Sequence, residues 1–561
     1  MHSTGFSAVS IRRLYQMIGE DYRRNRQIFG IPEALFFNPA VTSTGNYRIF
    51  RQQLRTPFGV AAGPQTQLAQ NIVSAWLCGA SYIELKTIQT LDELEITKPC
   101  IDMQDEGYNC EWSQELRIRE SFDEYLKAWI LIHLLHHRLG HPGTPDGVIF
   151  NMSVGYNLEG ILSENVQWFL SKMQDCRPEK EAMISSLLPL YPELRNISIP
   201  DRISSNITLS TMHGCPPGEI EKIGHYLLTE KKLHTLIKLN PTLLGREQLR
   251  EILNNRLGYK TMVPDAAFEH DLNYEDALGI IGRLQLTAVR NNLTFGVKLT
   301  NTLECINHRS ILPPKEEMMY MSGRALHPIS VNVAARLRRD LGPGLNISFS
   351  GGADCFNISD LLHCGLTPVT VCSDLLKPGG YGRLQQYIEQ TAGKSTPDTA
   401  RQAVYLEKYA LSVVDDIRYR CDPFSEKSIK TARPLGLFDC IHAPCADECP
   451  TNQDIPEYLN HIASGEFSKA LDVIHRKNPF PNVLGSACDH PCQLRCTRIN
   501  YDKPLNISVL KLFAAHYGMT VDAPPVKENG KSAAVIGAGP SGLSFACFMR
   551  LAGFRVEIFE S

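Results

Sequence analysis

Six cysteines between residues 440 and 496 carry the plainest chemistry in the chain. Cys440-Ile-His-Ala-Pro-Cys445-Ala-Asp-Glu-Cys449-Pro450 spells C-x4-C-x3-C-P. Beginning 39 residues after Cys449, Cys488-Asp-His-Pro-Cys492-Gln-Leu-Arg-Cys496 spells C-x3-C-x3-C. Thiolates spaced in this way on loops and first helical turns can converge on one face of an iron–sulfur cluster, and a proline directly after the last cysteine is a familiar companion of such ligands. Structural zinc is the competing metal, but it favours C-x2-C pairs set for a tetrahedron, and neither triplet contains one. Ordinary buried thiols are the bland alternative.

A second chemical signal lies near the C-terminus. Ala533-Ala-Val-Ile-Gly537-Ala-Gly539-Pro-Ser-Gly542 follows an apolar run, opens a helical stretch, and precedes a second run, Arg555-Val-Glu-Ile-Phe-Glu560. A lone G-x-G-x-x-G is weak evidence, but this one has the strand–turn–helix context and the distal acid of a dinucleotide fingerprint. Gly537 permits the tight turn, Gly539 admits a pyrophosphate, and Gly542 lets helix pack on strand. Glu560 is placed to accept from ribose hydroxyls, and the helix N-terminus attracts phosphate. One strand–helix–strand unit cannot bury its own core, so the segment reads as the start of a larger, truncated FAD-binding domain.

Further candidates fall where apolar runs end: Ala62, Gly63, Lys86, Lys238, Lys298, Gly351, Gly352, Cys372 and Ser373. Small residues let a flat ring lie on the backbone, lysines stabilise an anionic reduced flavin, and late backbone amides suit a phosphate. Taken singly, a strand-end lysine is usually solvated and Gly-Gly is usually a turn. Cys215 sits in a Gly/Pro-flanked loop with His213 two residues away. A thiol there can act as a general acid, protonating a ring carbon while a flavin delivers hydride to its neighbour. The plain alternative is a buried, inert cysteine.

The elements that must position these residues repeat along the chain. Phe58-Gly-Val-Ala-Ala, Tyr82-Ile-Glu-Leu, Val148-Ile-Phe-Asn-Met, Ile207-Thr-Leu, Leu236-Ile-Lys-Leu, Phe295-Gly-Val-Lys-Leu, Ile347-Ser-Phe-Ser and Val369-Thr-Val-Cys are eight strand candidates alternating with helical stretches. That pattern predicts a closed (β/α)8 barrel with long insertions at 90–145 and 160–205, its site at the C-terminal face. An amphipathic leader helix is expected near residues 8–27. Lys427–Pro434 reads as a connector, the stretch between the cysteine triplets as helical, and residues 521–530 as a turn-rich hinge. The predicted domains are therefore 1–425 (barrel), 426–520 (helical iron–sulfur domain) and 531–561 (the Rossmann fragment). A formal net charge of −3 gives no reason to expect nucleic acid or a membrane surface as partner. The chain contains no run of eighteen apolar residues. Seventeen cysteines in a chain of this length, mostly at wide spacings, fit a reducing cytoplasm better than a disulfide framework.

The barrel segment resembles the dihydroorotate/dihydropyrimidine dehydrogenase family in TPFGVAAGPQTQLAQNI, GASYIELKT, NMSVGYNLEG, GRALHPISVNVAARL and SGGADCFNISDLLHCGLTPVTVCS. The cysteine segment and the following glycines resemble the small subunit of glutamate synthase and the N-terminal half of dihydropyrimidine dehydrogenase. In those proteins the segment holds two [4Fe-4S] clusters beside an FAD domain. The order of the parts, together with STMHGCPP, KLNPTLLG and MSGRAL, is similar to the YgfK-type selenate reductase subunits. That family is associated with anaerobic purine breakdown and molybdenum hydroxylases, and its members run on through FAD and NADPH domains.

The resemblance implies FMN contacts at Ala62, Gly63, Lys86, Lys238, Gly351, Gly352, Cys372 and Ser373. It implies one cluster on Cys440, Cys445 and Cys496, and another on Cys449, Cys488 and Cys492. Departures are evident. The family's Asn-x-Ser-Cys-Pro becomes Thr208-Leu-Ser-Thr-Met-His-Gly-Cys-Pro, the expected first cysteine falls on Leu437, and a ligating glutamine falls on Lys511. Six cysteines cannot supply eight thiolates, so Asp439, Cys421 or an exogenous ligand completes the clusters, or a single cluster forms. The expectation is an iron–sulfur flavoprotein passing electrons from NAD(P)H through FAD and clusters to a small heterocycle at the barrel or to a redox partner. The alternative is a scaffold and electron-wiring subunit with an inactive barrel.

Overall fold

Eight short apolar runs become the staves of a closed barrel in the computed structural model, which describes residues 8–38, 47–88, 101–104, 108–109, 116–141, 143–155, 157–211, 215–308, 312, 315–394, 397–421, 443–500, 503–519 and 525–561. The strands are β1 (Phe58–Val60), β2 (Tyr82–Glu84), β3 (Ile149–Gly155), β4 (Asn206–Ser210), β5 (His234–Leu239), β6 (Phe295–Leu299), β7 (Asn346–Phe349) and β8 (Val369–Val371). Each pairs in parallel with the next in chain order, and β8 closes on β1 through Val369–Phe58 and Val371–Val60. β3 and β6 are buried along their whole lengths, as expected where helices cover the outer face and side chains fill the inner one. Closure is tight: a Cβ on Gly59 would run into the Tyr82 backbone, and one on Gly296 would lie 2.5 Å from the Asn346 carbonyl.

The leader helix spans Ile11–Asn25. Ser10 caps it by accepting the Arg13 N–H, and its apolar stripe buries Ile11, Leu14, Tyr15 and Ile18. The insertion after β2 contributes the long helix Ile118–Arg138. One feature the sequence did not announce is a four-stranded accessory sheet, in which Leu303–Ile306 and Met318–Met321 from the insertion after β6 join Ile101–Asp102 and Tyr108–Asn109 from the insertion after β2. Its strands are two to four residues long and pair across a long stretch of chain, so no local periodicity marks them.

The chain divides into two compact units between residues 423 and 424. In the second, short helices at Pro444–Glu448, Ile455–Ala463, Phe467–His475, Pro481–Ser486, Pro491–Leu494 and Ile507–Tyr517 gather round a small core of Ile455, Tyr458, Ala470, Val473, Ile474, Cys492, Ile507 and Ala514. A parallel strand pair follows, Ser532–Ile536 with Arg555–Phe559, bridged by the helix Pro540–Leu551. The connector expected at Lys427–Pro434 and residues 521–524 of the expected hinge lie outside the described residues. Among the described residues, no helix is long and apolar enough to cross a membrane.

Candidate functional site

The C-terminal end of the barrel is organised by a charge pair inside it. Glu84, at the end of β2, and Lys298, on β6, are both fully buried, with Nζ 2.8 Å from Oε2. β2 and β6 stand opposite one another in barrel order, so the pair crosses the interior. Lys298 also donates to Thr370 Oγ1 at 2.6 Å on β8. The Ala62 N–H donates to Glu84 Oε2 at 3.2 Å, which fastens the loop after β1 to the same carboxylate. Burial pushes the Glu84 carboxyl up, but Lys298, Lys238 and these hydrogen bonds outweigh it and hold the group below its ordinary range. Among the described residues, neither the buried Glu84 Oε1 nor Gln65 Oε1 beside Gly63 has a hydrogen-bond partner. The sequence pointed to Lys298 but not to Glu84; the available signal was an acid within an otherwise apolar run.

Around this pair stand the strand-end residues. Lys238 is level with Lys298 in the β5–β6 register, is half-buried, and its carbonyl accepts from Thr211 Oγ1 at 2.6 Å. Lys86 is buried, its carbonyl taking the Tyr125 hydroxyl at 3.1 Å. Asn301 donates to Thr211 O and to Asn240 Oδ1, both at 2.8 Å, and so ties the ends of β4, β5 and β6 together. Ser373 meets the Ser322 hydroxyl at 3.1 Å, and Cys372 is half-buried just before it. Orphaned acceptor oxygens beside buried lysines fit a planar, N–H-bearing ring such as a flavin. The Gly351-Gly352 pair also has a packing role. A Cβ on Gly351 would collide with Ser330, and one on Gly352 would lie 2.5 Å from the Gly323 carbonyl. Gly352 also adopts φ +60°, so packing and backbone conformation both call for glycine here.

Cys215 precedes the helix Pro217–Thr229 and packs at the edge of the barrel core. Burial, and then the Glu219 carboxylate, push its thiol up to about 11. It stays protonated at neutral pH, which suits an acid and makes a poor nucleophile. His213 lies outside the described residues.

The second centre is built from thiols. Cys445 lies in the helix Pro444–Glu448 and Cys449 caps its C-terminus. Cys492 lies in the helix Pro491–Leu494, with Cys488 ahead of it and Cys496 behind. Arg495 Nε reaches Glu448 Oε2 at 3.4 Å and joins the two short helices. Burial drives Cys492 up to about 11, reinforced by Cys449, Cys488 and Cys445. Cys445 is raised by burial and then by Cys496. Cys445 and Cys449 pack against the same small core that holds Cys492, so thiols of both triplets come together, and a cationic iron core would favour their thiolate forms. The His490 N–H already points at Cys488 Sγ at 3.4 Å, the kind of outer contact that tunes a cluster. Among the described residues, no three His, Cys, Asp or Glu side chains are arranged to hold a single metal ion. A cubane cluster takes its thiolates one to an iron, and an all-cysteine donor set suits it. Cys440, Leu437 and Asp439 lie outside the described residues. Cys421, a candidate ligand by sequence, packs against the barrel core, and its N–H donates to Leu257 O at 2.8 Å.

The glycine turn after Ile536 has the expected geometry. Gly537 adopts φ +97°, Gly539 has open space where a Cβ would sit, and a Cβ on Gly542 would collide with the Gly537 carbonyl. Glu560 accepts the Ala538 N–H, so its carboxylate already faces the turn.

Comparison with known proteins follows the same three parts. A family model for the N-terminal TIM-barrel domain of oxidoreductase YgfK matches residues 29–420. A model described as dihydropyrimidine dehydrogenase domain II, 4Fe-4S cluster, matches 423–523, and an NAD(P)-binding Rossmann-like model matches 535–561. The oxidoreductase YgfK of Escherichia coli K12 is 42% identical over 583 aligned residues, which cover 98% of this chain and 56% of that protein. The chain thus spans little more than half the length of that relative. The beta subunit of the NADPH-Fe(3+) oxidoreductase of Geobacter sulfurreducens is 35% identical over 158 residues, 27% of this chain and 24% of its own. The glutamate synthase [NADPH] small chain of Mycobacterium tuberculosis is 35% identical over 188 residues, 33% of this chain and 35% of its own.

Proposed function

The chain belongs to the YgfK oxidoreductase family, and on that premise we propose that it carries electrons from NAD(P)H to a site at the end of the barrel or to a partner enzyme. FAD at the glycine turn and one or two [4Fe-4S] clusters on Cys440, Cys445, Cys449, Cys488, Cys492 and Cys496 form the route. The observation that carries this reading is the convergence of thiols from two separate triplets on one small core, in a chain whose next element is a dinucleotide turn. Flavins exchange electron pairs with nicotinamide and single electrons with clusters, which explains why the two sites adjoin in sequence.

FMN at the barrel is supported by Lys86, Lys238 and the orphaned oxygens of Gln65 and Glu84. With Cys215 held protonated, and His213 near it in sequence, the acceptor is a small purine-like heterocycle. The partner would be a molybdenum hydroxylase, the setting the cytoplasm, and the process anaerobic purine or selenium-linked metabolism. A wiring subunit with an idle barrel is the second reading, and the packing role of Gly351 and Gly352 favours it. Anaerobically purified protein, analysed for iron, acid-labile sulfide and acid-released flavin, separates the two. Iron, sulfide and FMN together are the expected result. Iron without FMN selects the wiring role, and protein free of iron and sulfide after reconstitution rejects both.

A further inference from the structure

We propose that the N-terminal end of the barrel carries a binding site for a small inorganic anion of halide size, held by His136, Arg55 and His141. The site is at the opposite end of the strands from the candidate flavin site and does not depend on the electron-transfer reading. Arg55 comes just ahead of β1 and Pro145 just ahead of β3, while His136 belongs to the last turn of the helix Ile118–Arg138. These three segments enclose a cavity of about 20 Å³, lined further by Phe36, Phe37 and Trp76. Phe36, Phe37, Arg55 and His141 are only half-buried, so an ion can reach it.

His136 marks the cavity as a ligand site. It is 2% exposed, and among the described residues neither of its ring nitrogens has a hydrogen-bond partner. A buried imidazole in that state has given up its bonds to water and gained none in return. The neighbours indicate which charge would relieve it. The His141 ring centre is 5.2 Å from that of His136, and Arg55 faces the same cavity with its Nε donating to the Asp146 carbonyl. Among the described residues, the lining holds these three basic side chains and no carboxylate. Burial, then Arg55, His141 and His133, push His136 down to about 4, against the opposing Asp146. The Asp146 carboxylate is itself engaged by the Thr144 hydroxyl. Burial and Arg55 lower His141 as well. A guest that is an acceptor and negatively charged lets His136 take up a proton and donate to it. The cavity admits roughly one water-sized guest, which suits a monatomic ion and excludes a phosphate ester. Water would fill the same space and leave the basic groups without a counter-charge. Because the anion raises the titration of His136, its binding tightens as pH falls.

Bromide, a heavy analogue of chloride, is the probe. Crystals of the full chain soaked in sodium bromide should show an anomalous peak within hydrogen-bond distance of a His136 ring nitrogen. In solution, chloride NMR lines should broaden with added protein, more in mildly acidic than in mildly alkaline buffer. His136→Leu and Arg55→Gln should each remove most of the pH-dependent part. In chloride-free buffer His136→Leu should melt no lower than wild type, because it no longer buries an imidazole without partners. Wild-type crystals that hold water alone in this cavity after the soak overturn the inference without recourse to a variant. Broadening that is the same in wild type and His136→Leu, or that does not change with pH, overturns it too.

Discussion

Glu84 and Lys298 are fully buried and 2.8 Å apart, so removing either leaves the other charge unpaired in a medium that solvates it poorly. Glu84→Gln or Lys298→Met should each cost about 3–5 kcal/mol, the usual loss when one partner of a buried pair is removed. Glu84→Leu combined with Lys298→Met should recover most of it. Denaturant titration of the barrel measures this, and single-variant losses no greater than those of surface substitutions would contradict it. The pH dependence follows in sign. The folded carboxyl titrates below its ordinary value of 4.5, so its contribution is whole above that value and is lost as pH falls through the lower folded one. Acid unfolding should therefore be more shallow in Glu84→Gln. The sequence hid this pair because a strand buried on both faces shows no alternation, and nothing local says which of its residues point inward. The thiols were legible because ligand spacing is itself local. Gln493–Ser508 and Glu448–Arg495, which hold those thiols together, join separate segments and carry no such signature.

At the scale of elements, the eight barrel strands were readable because each is a continuous apolar run ending at a turn, whereas the accessory sheet depends on the pairing of Tyr320 with Ile101, which no local window contains. The glycine turn makes a sharper test, since its glycines do different things. A Cβ at Gly542 meets backbone, the Gly537 carbonyl, which cannot swing aside as a side chain can. Gly542→Ala should therefore part the helix Pro540–Leu551 from its strands, at about the 1–3 kcal/mol typical of overpacking. A Cβ at Gly539 meets nothing within 4 Å, so Gly539→Ala should leave the fold intact and weaken only the approach of a dinucleotide. Limited proteolysis across residues 525–561, beside FAD retention, separates these outcomes. The two variants behaving alike would contradict the assignment.

At the scale of the whole chain, the two compact units have very different means of stability. The barrel buries a continuous core from Ile11 to Tyr419. Among the described residues, the helical part of the second unit packs six short α-helices round a core cluster of eight, one of them Cys492, and the strand pair beyond it leaves Ile536 92% and Phe559 55% exposed. So small a core supplies little free energy against chain entropy. Where a preformed site is absent from the unfolded chain, metal-binding free energy becomes folding free energy. Stripping iron with a chelator should accordingly lower the melting transition of residues 424–561 and broaden it, while the barrel transition stays in place. Calorimetry of the reconstituted and stripped full chain reads both transitions in one scan. If the barrel transition moved with iron content, the units would be energetically coupled; if neither moved, the cysteines would be ordinary core residues and the cluster no part of what holds the second unit together.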